Sequence, residues 1–254
     1  MLNAPGQILV VLFIVTSSLA FRSALDRLWP REKRTQHNNI IGWELGILGT
    51  TYAVVLGFML YTVWTNYGAA EVNVDEEANA ITNIHRLAEG LPPPQREQIM
   101  KAARDYANAV INEDWPAMNR GRVDQLTSHA NNRDIWRILA GVDPLTPRQF
   151  IALDHCLSQI SALAEHRRIR YLECESSLPP ILWWVLVFGC LLTTASCCLF
   201  GGASARLHMI QVFCFSLLVS TVLVAIAAID RPFKGAVRIN DRAFRRALQN
   251  MDEQ

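Results

Sequence analysis

What this 254-residue sequence lacks excludes most enzyme classes at the outset. It contains no G-x-S-x-G, no phosphate-binding G-x-x-x-x-G-K-[ST], no G-x-G-x-x-G and no H-E-x-x-H. The common hydrolase, nucleotide-binding and metalloprotease chemistries therefore have no residues to act through, and an enzyme is not expected. The formal net charge is only +1, and no basic stripe with interleaved aromatics is present, which argues against nucleic acid as a partner. Of the six cysteines, Cys190, Cys197, Cys198 and Cys214 fall in apolar runs where they behave as small hydrophobes. Cys156 and Cys174 lie in polar sequence, with neither zinc spacing nor a disulfide framework. His155 and His166 are three helical turns apart, about 16 Å, too far to share one ion, and His85 adds no spacing that would help. No metal and no cofactor is expected.

Charge itself is scarce. Charged residues make up 19% of the chain against 51% hydrophobic ones, and they are confined to blocks, so the sequence reads as an integral membrane protein with one soluble insert. The stretch around which the rest is organised begins at Gly42. IGWELGILGTTYAVVLGFMLYTVW carries one acid, Glu44, and about 20 apolar or small residues, enough to cross a hydrocarbon core. Gly42, Gly46, Gly49, Ala53 and Gly57 share one face and predict close packing against another helix. The adjacent face carries Thr50, Val54, Phe58 and Tyr61, and what that row touches decides the function. Glu44 is an intramembrane acid by position, but a helix N-terminus one turn inside the span is also where an acid is favoured.

Beyond Trp64 no helix breaker intervenes until the prolines at 92 to 94, so the same helix is expected to continue for a total of about 70 Å. Val74, Ala78, Ile81, Ile84 and Ala88 form its narrow apolar stripe. Glu71, Asp75, Glu76 and Glu77 crowd two turns of it. A solvated acidic face is their common origin, and the sharper reading is a vestibule that concentrates cations or recruits Ca²⁺, although no EF-hand-like loop surrounds them.

Three further spans are expected. Gln7 to Phe21 is a short apolar run that resembles a signal-peptide core, but no Lys or Arg precedes it, and a retained first helix is preferred. A basic link with Arg22, Arg27, Arg31, Lys33 and Arg34 follows. The third and fourth spans cover about 181–200 and 207–229, joined at Gly201 and Gly202. The insert is helical. An amphipathic helix from about 95 is interrupted near Pro116, and another opens at Thr146 with Pro147 at its first position, carrying Phe150, Leu153, Leu157, Ile160, Leu163 and Ile169 as its stripe. It is long enough to pack antiparallel along the extended second helix. The tail ends in a short basic helix of the kind that lies on a membrane surface. The expected organisation is 1–65, two spans with the basic link; 66–179, the insert; 180–229, two spans; and 230–254, the tail.

Several blocks resemble the bacterial and plant membrane proteins that carry a bestrophin-like domain. They are Gly49 to Phe58 with Trp64, Asn66 and Tyr67; Glu76 to Arg96; the run from Tyr106 to Trp115 ending in EDWP; and Ile229 to Gly235. The resemblance implies an all-α membrane protein of four transmembrane helices with a helical stalk between spans 2 and 3. It further implies a homo-oligomer, a pentamer in bestrophins, that contacts membrane lipid and passes inorganic ions, with termini and insert cytoplasmic, in a bacterial inner membrane. Bestrophins line a hydrophobic neck with their second span, and their V-L-G-F run matches Val55 to Phe58. That register puts Phe58 at a neck phenylalanine, but Val54 and Thr50 where bulkier apolar groups would stand. The alternative to an ion channel is a non-conducting membrane sensor or scaffold whose stalk binds a partner.

Overall fold

The computed structural model describes residues 4–122, 127–201 and 204–253, and among them every regular element is helical. In chain order these are α1 (Ala4–Leu28), α2 (Arg31–Thr35), α3 (Asn38–Leu87), α4 (Pro93–Ala109), α5 (Trp115–Arg120), α6 (Ser128–Ala140), α7 (Pro147–Glu175), α8 (Pro180–Leu199), α9 (Ala205–Ile229) and α10 (Arg242–Asp252). Four of them, α1, α3, α8 and α9, are long and apolar enough to cross a membrane. As the sequence predicts, α3 runs unbroken for 50 residues, then closes in a 3₁₀ turn at Ala88–Gly90 ahead of the prolines.

The helices form two compact units, and α3 contributes to both. The first comprises Met1–Thr65 and Ser177–Asp230. In it α1 packs on α8 and α9, and Tyr52, Leu56 and Val63 of α3 join Leu186, Cys190, Val219 and Ile226 in its core. Helix α1 extends 7 residues past the apolar run that ends at Phe21, to Leu28. The extension is stable because its polar residues are partnered: Arg22 and Asp26 pair at 3.2 Å across one turn. Asn38 fastens the start of α3 by accepting from Gly201 N at 2.8 Å and donating to Gly201 O at 2.6 Å. A Cβ at Gly201 would lie 2.6 Å from Thr35 N, so only glycine allows that approach.

The second unit comprises Asn66–Ser176 and Arg231–Gln254. Its core holds the whole predicted stripe of α3, Val74, Ala78, Ile81, Ile84 and Ala88. Helix α7 runs antiparallel to this part of α3, since Asn73 bonds to His166 and Asn83 to Gln159. Its N-terminus is a capping box: Thr146 Oγ1 accepts from Gln149 N at 3.2 Å and Gln149 Oε1 accepts from Thr146 N at 3.2 Å. The buried face of α7 matches the predicted stripe only in part. Ile160 and Leu163 are inside and Leu153 and Leu157 pack beside the core, but Ala152, Cys156, Arg167, Arg170 and Cys174 are buried as well, whereas Phe150 is 64% exposed. Two arginines belong to the buried stripe, which a purely apolar pattern does not register.

The expected interruption near Pro116 is a π turn at Val110–Asp114, after which α5 continues. Proline has no N–H to donate and its ring crowds the carbonyl four residues back, and a wider turn accommodates both. The tail also departs from expectation. Instead of an apolar face left for a membrane surface, α10 buries Ala243, Phe244, Ala247 and Met251 against α4, with Phe244 at 5.9 Å from the Trp115 ring and 6.5 Å from Tyr106.

Candidate functional site

Helix α3 turns Tyr52, Leu56 and Val63 into the core of the first unit, and period 3.6 then dictates what points away. Thr50 is exposed, and Val54, Phe58 and Tyr61 are 53%, 65% and 69% exposed in the single chain. The four residues form a continuous outward row. The hydroxyl of Thr50 is turned back on its own helix, donating to Gly46 O at 2.7 Å, so the row presents methyl, aliphatic and aromatic surface with a phenol at Tyr61.

Next to it lies the small-residue face. A Cβ placed on Gly46, Gly49 or Gly57 would meet nothing within 4 Å, while one on Gly42 would touch the Phe200 ring at 3.5 Å. Gly49, Ala53 and Gly57 floor a cleft of about 310 Å³ between α3 and α9, walled by Phe215, Leu218 and Val222. The tight approach within the chain is elsewhere, at Gly189 of α8, whose Cβ would sit 2.5 Å from the ring of Tyr52. Tyr52 is held there by donating to Leu186 O at 2.8 Å. Sequence spacing does not mark this contact, because Gly189 has no second glycine or alanine at three or four positions to define a face. Glu44 is exposed near the start of α3.

The four clustered acids separate. Glu71, Asp75 and Glu76 are exposed, but Glu77 is fully buried and leaves the set that a vestibule reading needs. Arg170 of α7 grips it bidentately, Nε to Oε2 at 2.7 Å and Nη2 to Oε1 at 3.0 Å. The same guanidinium reaches Asp114 Oδ2 at 3.1 Å and Met118 Sδ at 3.0 Å. Tyr106 donates to Glu77 Oε1 at 2.5 Å, and Asp114 Oδ1 accepts from the backbone of Thr127 at 2.8 Å and Ser128 at 3.3 Å. The π turn ends on Asp114 and so delivers this carboxylate to Arg170. Burial works against the charge on Arg170, but Glu77, Tyr106 and Asp114 together outweigh it and hold its pKa well above the usual value. Burial also pushes the Tyr106 phenol well up, and the Glu77 charge adds to this, so the phenol stays a donor. The arrangement ties α3, α4, α5 and α7 to one buried cation. It is a structural centre, with no open position for a reacting group.

The pattern of the Bestrophin-like domain matches residues 11–244 of the sequence. The chain belongs to the Bestrophin-like domain family. No curated protein matches it. Among solved structures, a bacterial bestrophin homolog from Klebsiella pneumoniae is 13% identical, with a TM-score of 0.67 over 97% of each chain. A variant of that homolog gives 13% identity and a TM-score of 0.68, covering 96% of this chain and 99% of its own. A further structure, described as a membrane protein, gives 12% identity and a TM-score of 0.69, covering 96% and 97%. At these identities the likeness establishes the bestrophin-like fold.

Within this bestrophin-like fold one polar cluster joins α3 to α7 around a partly buried carboxyl. Asn73 donates to His166 O at 3.0 Å and to Glu173 Oε2 at 3.4 Å, while its own Oδ1 meets His166 Nδ1 at 2.9 Å. Burial lifts the Glu173 carboxyl to about 7; the Asn73 bond opposes this and the Glu77 charge adds to it. An acid whose pKa is raised on folding favours the folded state most when protonated, so its contribution is complete below the unfolded value and lost as pH rises through the folded one. Stability should therefore fall between about pH 4.5 and 7 by roughly 1–2 kcal/mol, after discounting for the half-exposed position. Glu173→Gln should flatten that part of the profile, measured as the unfolding midpoint in detergent at pH 5 and pH 8. An unchanged slope would assign the dependence to another group.

Proposed function

We propose that this bestrophin-like chain assembles into a homo-oligomeric ion channel, and that the row Thr50, Val54, Phe58 and Tyr61 lines its conduction path. The observation that carries this reading is that α3 leaves two adjacent faces without partners in one chain, one aromatic and one of glycine and alanine. Lipid alone gives no reason for the second face, because small residues favour close approach of another helix. A neighbouring copy seated against Gly46, Gly49, Ala53 and Gly57 fills the cleft and brings equivalent rows around one axis. Five copies are proposed, the number in bestrophins. Phe58 then supplies a ring of aromatic side chains that restricts conduction by excluding water. The exposed acids Glu71, Asp75 and Glu76, farther along the same helix, add negative charge that favours cations. The reading includes an inner-membrane location with the insert and both termini in the cytoplasm.

Reconstitution into liposomes tests it. Phe58→Ala should raise ion flux severalfold, and Val54→Glu should shift preference toward cations; a Glu at a lipid-facing position would instead impair insertion. Intact oligomer that passes no ions before or after Phe58→Ala, across pH, Ca²⁺ and voltage, would favour the non-conducting sensor or scaffold.

A further inference from the structure

At one end of the first unit, where α1 and α8 stop and α3 and α9 start, the chain gathers more positive charge than it balances. Asp26 pairs with three guanidinium groups: Arg22 at 3.2 Å, Arg31 at 3.2 Å, and Arg34 in a shorter contact. Among the described residues no second carboxylate lies within ion-pair distance of the three. His208 contributes no charge. Its Nε2 faces the carbonyl of Cys197 at 3.2 Å and must be the protonated nitrogen, which leaves Nδ1 to accept from Arg22 Nε at 3.2 Å.

Three cations against one anion leave an excess of two. Arg34 donates to Cys198 O at 2.8 Å, at the C-terminal end of α8, but a helix end supplies only about half a negative charge. Arg34 is 0% exposed, and its Nε finds no acceptor among the described residues. A buried guanidinium with an unused donor is costly unless something supplies the missing acceptor. The surroundings indicate what does so. Trp43 is 73% exposed at the start of α3 and Trp29 half-exposed after α1, the pair of positions that an interfacial aromatic belt occupies, so the cluster lies at headgroup depth. Phosphate oxygens are the anionic acceptors concentrated there, and guanidinium forks match them in geometry.

We infer that Arg22, Arg31 and Arg34 form a binding site for a phosphate anion, entered past Arg31, whose side chain is 31% exposed. The phosphate comes from the headgroup of an anionic phospholipid or from free inorganic phosphate. It supplies the negative charge that Asp26 alone does not.

The full chain in neutral detergent is titrated at constant ionic strength with dioleoylphosphatidylglycerol, with dioleoylglycerol, which has the same tails and no phosphate, and with inorganic phosphate. The unfolding midpoint and native mass spectra are followed. Phosphatidylglycerol should raise the midpoint saturably and remain bound in the spectrum, while dioleoylglycerol does neither. A gain from inorganic phosphate as well assigns the free anion as sufficient; a gain from the lipid alone assigns the headgroup. Arg31→Gln, at the exposed edge, should weaken the apparent affinity about tenfold, the worth of one charge-assisted bond. Asp26→Asn should lower the midpoint without added anion and regain it when phosphate or phosphatidylglycerol is added, because the ligand replaces the lost carboxylate. Equal responses to the two lipids, an Arg31→Gln titration like the wild type, or an Asp26→Asn defect that no phosphate relieves would each overturn the site.

Discussion

Replacing Arg170 with methionine should cost the protein about 3–5 kcal/mol of folding stability, the usual penalty for leaving buried charges without their partner. The side chain is fully buried, and it is the common partner of Glu77 and Asp114, which are fully buried as well. Methionine fills much of the volume, so the loss would be electrostatic, with lost packing a minor part. Arg170→Lys should recover only part of it, since an ammonium cannot span both oxygens of Glu77 while also reaching Asp114. A double variant, Arg170→Met with Glu77→Gln, should be more stable than Arg170→Met alone, because the second change removes one of the two stranded charges. Chemical unfolding of the detergent-solubilised protein would measure all three. A loss below about 1 kcal/mol would mean that another group takes over the charge, with Arg167 on the same helix face the nearest candidate.

The second large effect is expected at Gly189. Alanine in mid-helix is favoured over glycine by about 0.5–1 kcal/mol, so propensity alone predicts stabilisation. The contact predicts the opposite. A Cβ there would stand 2.5 Å from two ring atoms of Tyr52. That ring is buried, and its hydroxyl is committed to Leu186 O, so it has little freedom to retreat. Overpacking of this kind costs about 1–3 kcal/mol and takes the tyrosine hydrogen bond with it, so a net loss is expected for Gly189→Ala and a larger one for Gly189→Leu. Combining Gly189→Leu with Tyr52→Ala should restore part of the loss, as the new side chain takes the space of the ring. A more stable Gly189→Ala, by thermal unfolding, would show that the two helices are not in contact there.

These two positions also mark where the sequence stops being readable. The four spans, the unbroken α3 and the helix start at Thr146 follow from run length, the position of prolines and the N-cap preference of threonine, all of which are local signals. The outward row of α3 is legible as a face, because helical period places Thr50, Val54, Phe58 and Tyr61 together whatever surrounds them. What lies opposite that row belongs to no local pattern. The buried arginines of α7 were missed for a related reason. At Arg170 a charged residue continues the apolar stripe, and only knowledge of Glu77 and Asp114, 93 and 56 residues away, shows why it can. Glu77 was grouped with Glu71, Asp75 and Glu76 because they are neighbours in sequence, whereas one helical step rotates it to the inside. The Asp26 cluster was visible merely as a basic link; its burial depends on α8 and α9, which arrive more than 160 residues later for the Arg34 bond to Cys198 and 186 later for the Arg22 bond to His208.

The π turn at Val110–Asp114 has a further meaning in the descent of the protein. Such a turn is what a one-residue insertion into an ordinary helix leaves behind: the surplus is absorbed in one loose coil, and the residues beyond it keep their former orientation. Here the wider turn ends on an aspartate that meets a buried cation, so a chain one residue shorter in this turn would bring a different side chain towards Arg170. Relatives in which this helix is one residue shorter are then expected to have changed the partner on α7 too, and the two differences should be inherited together.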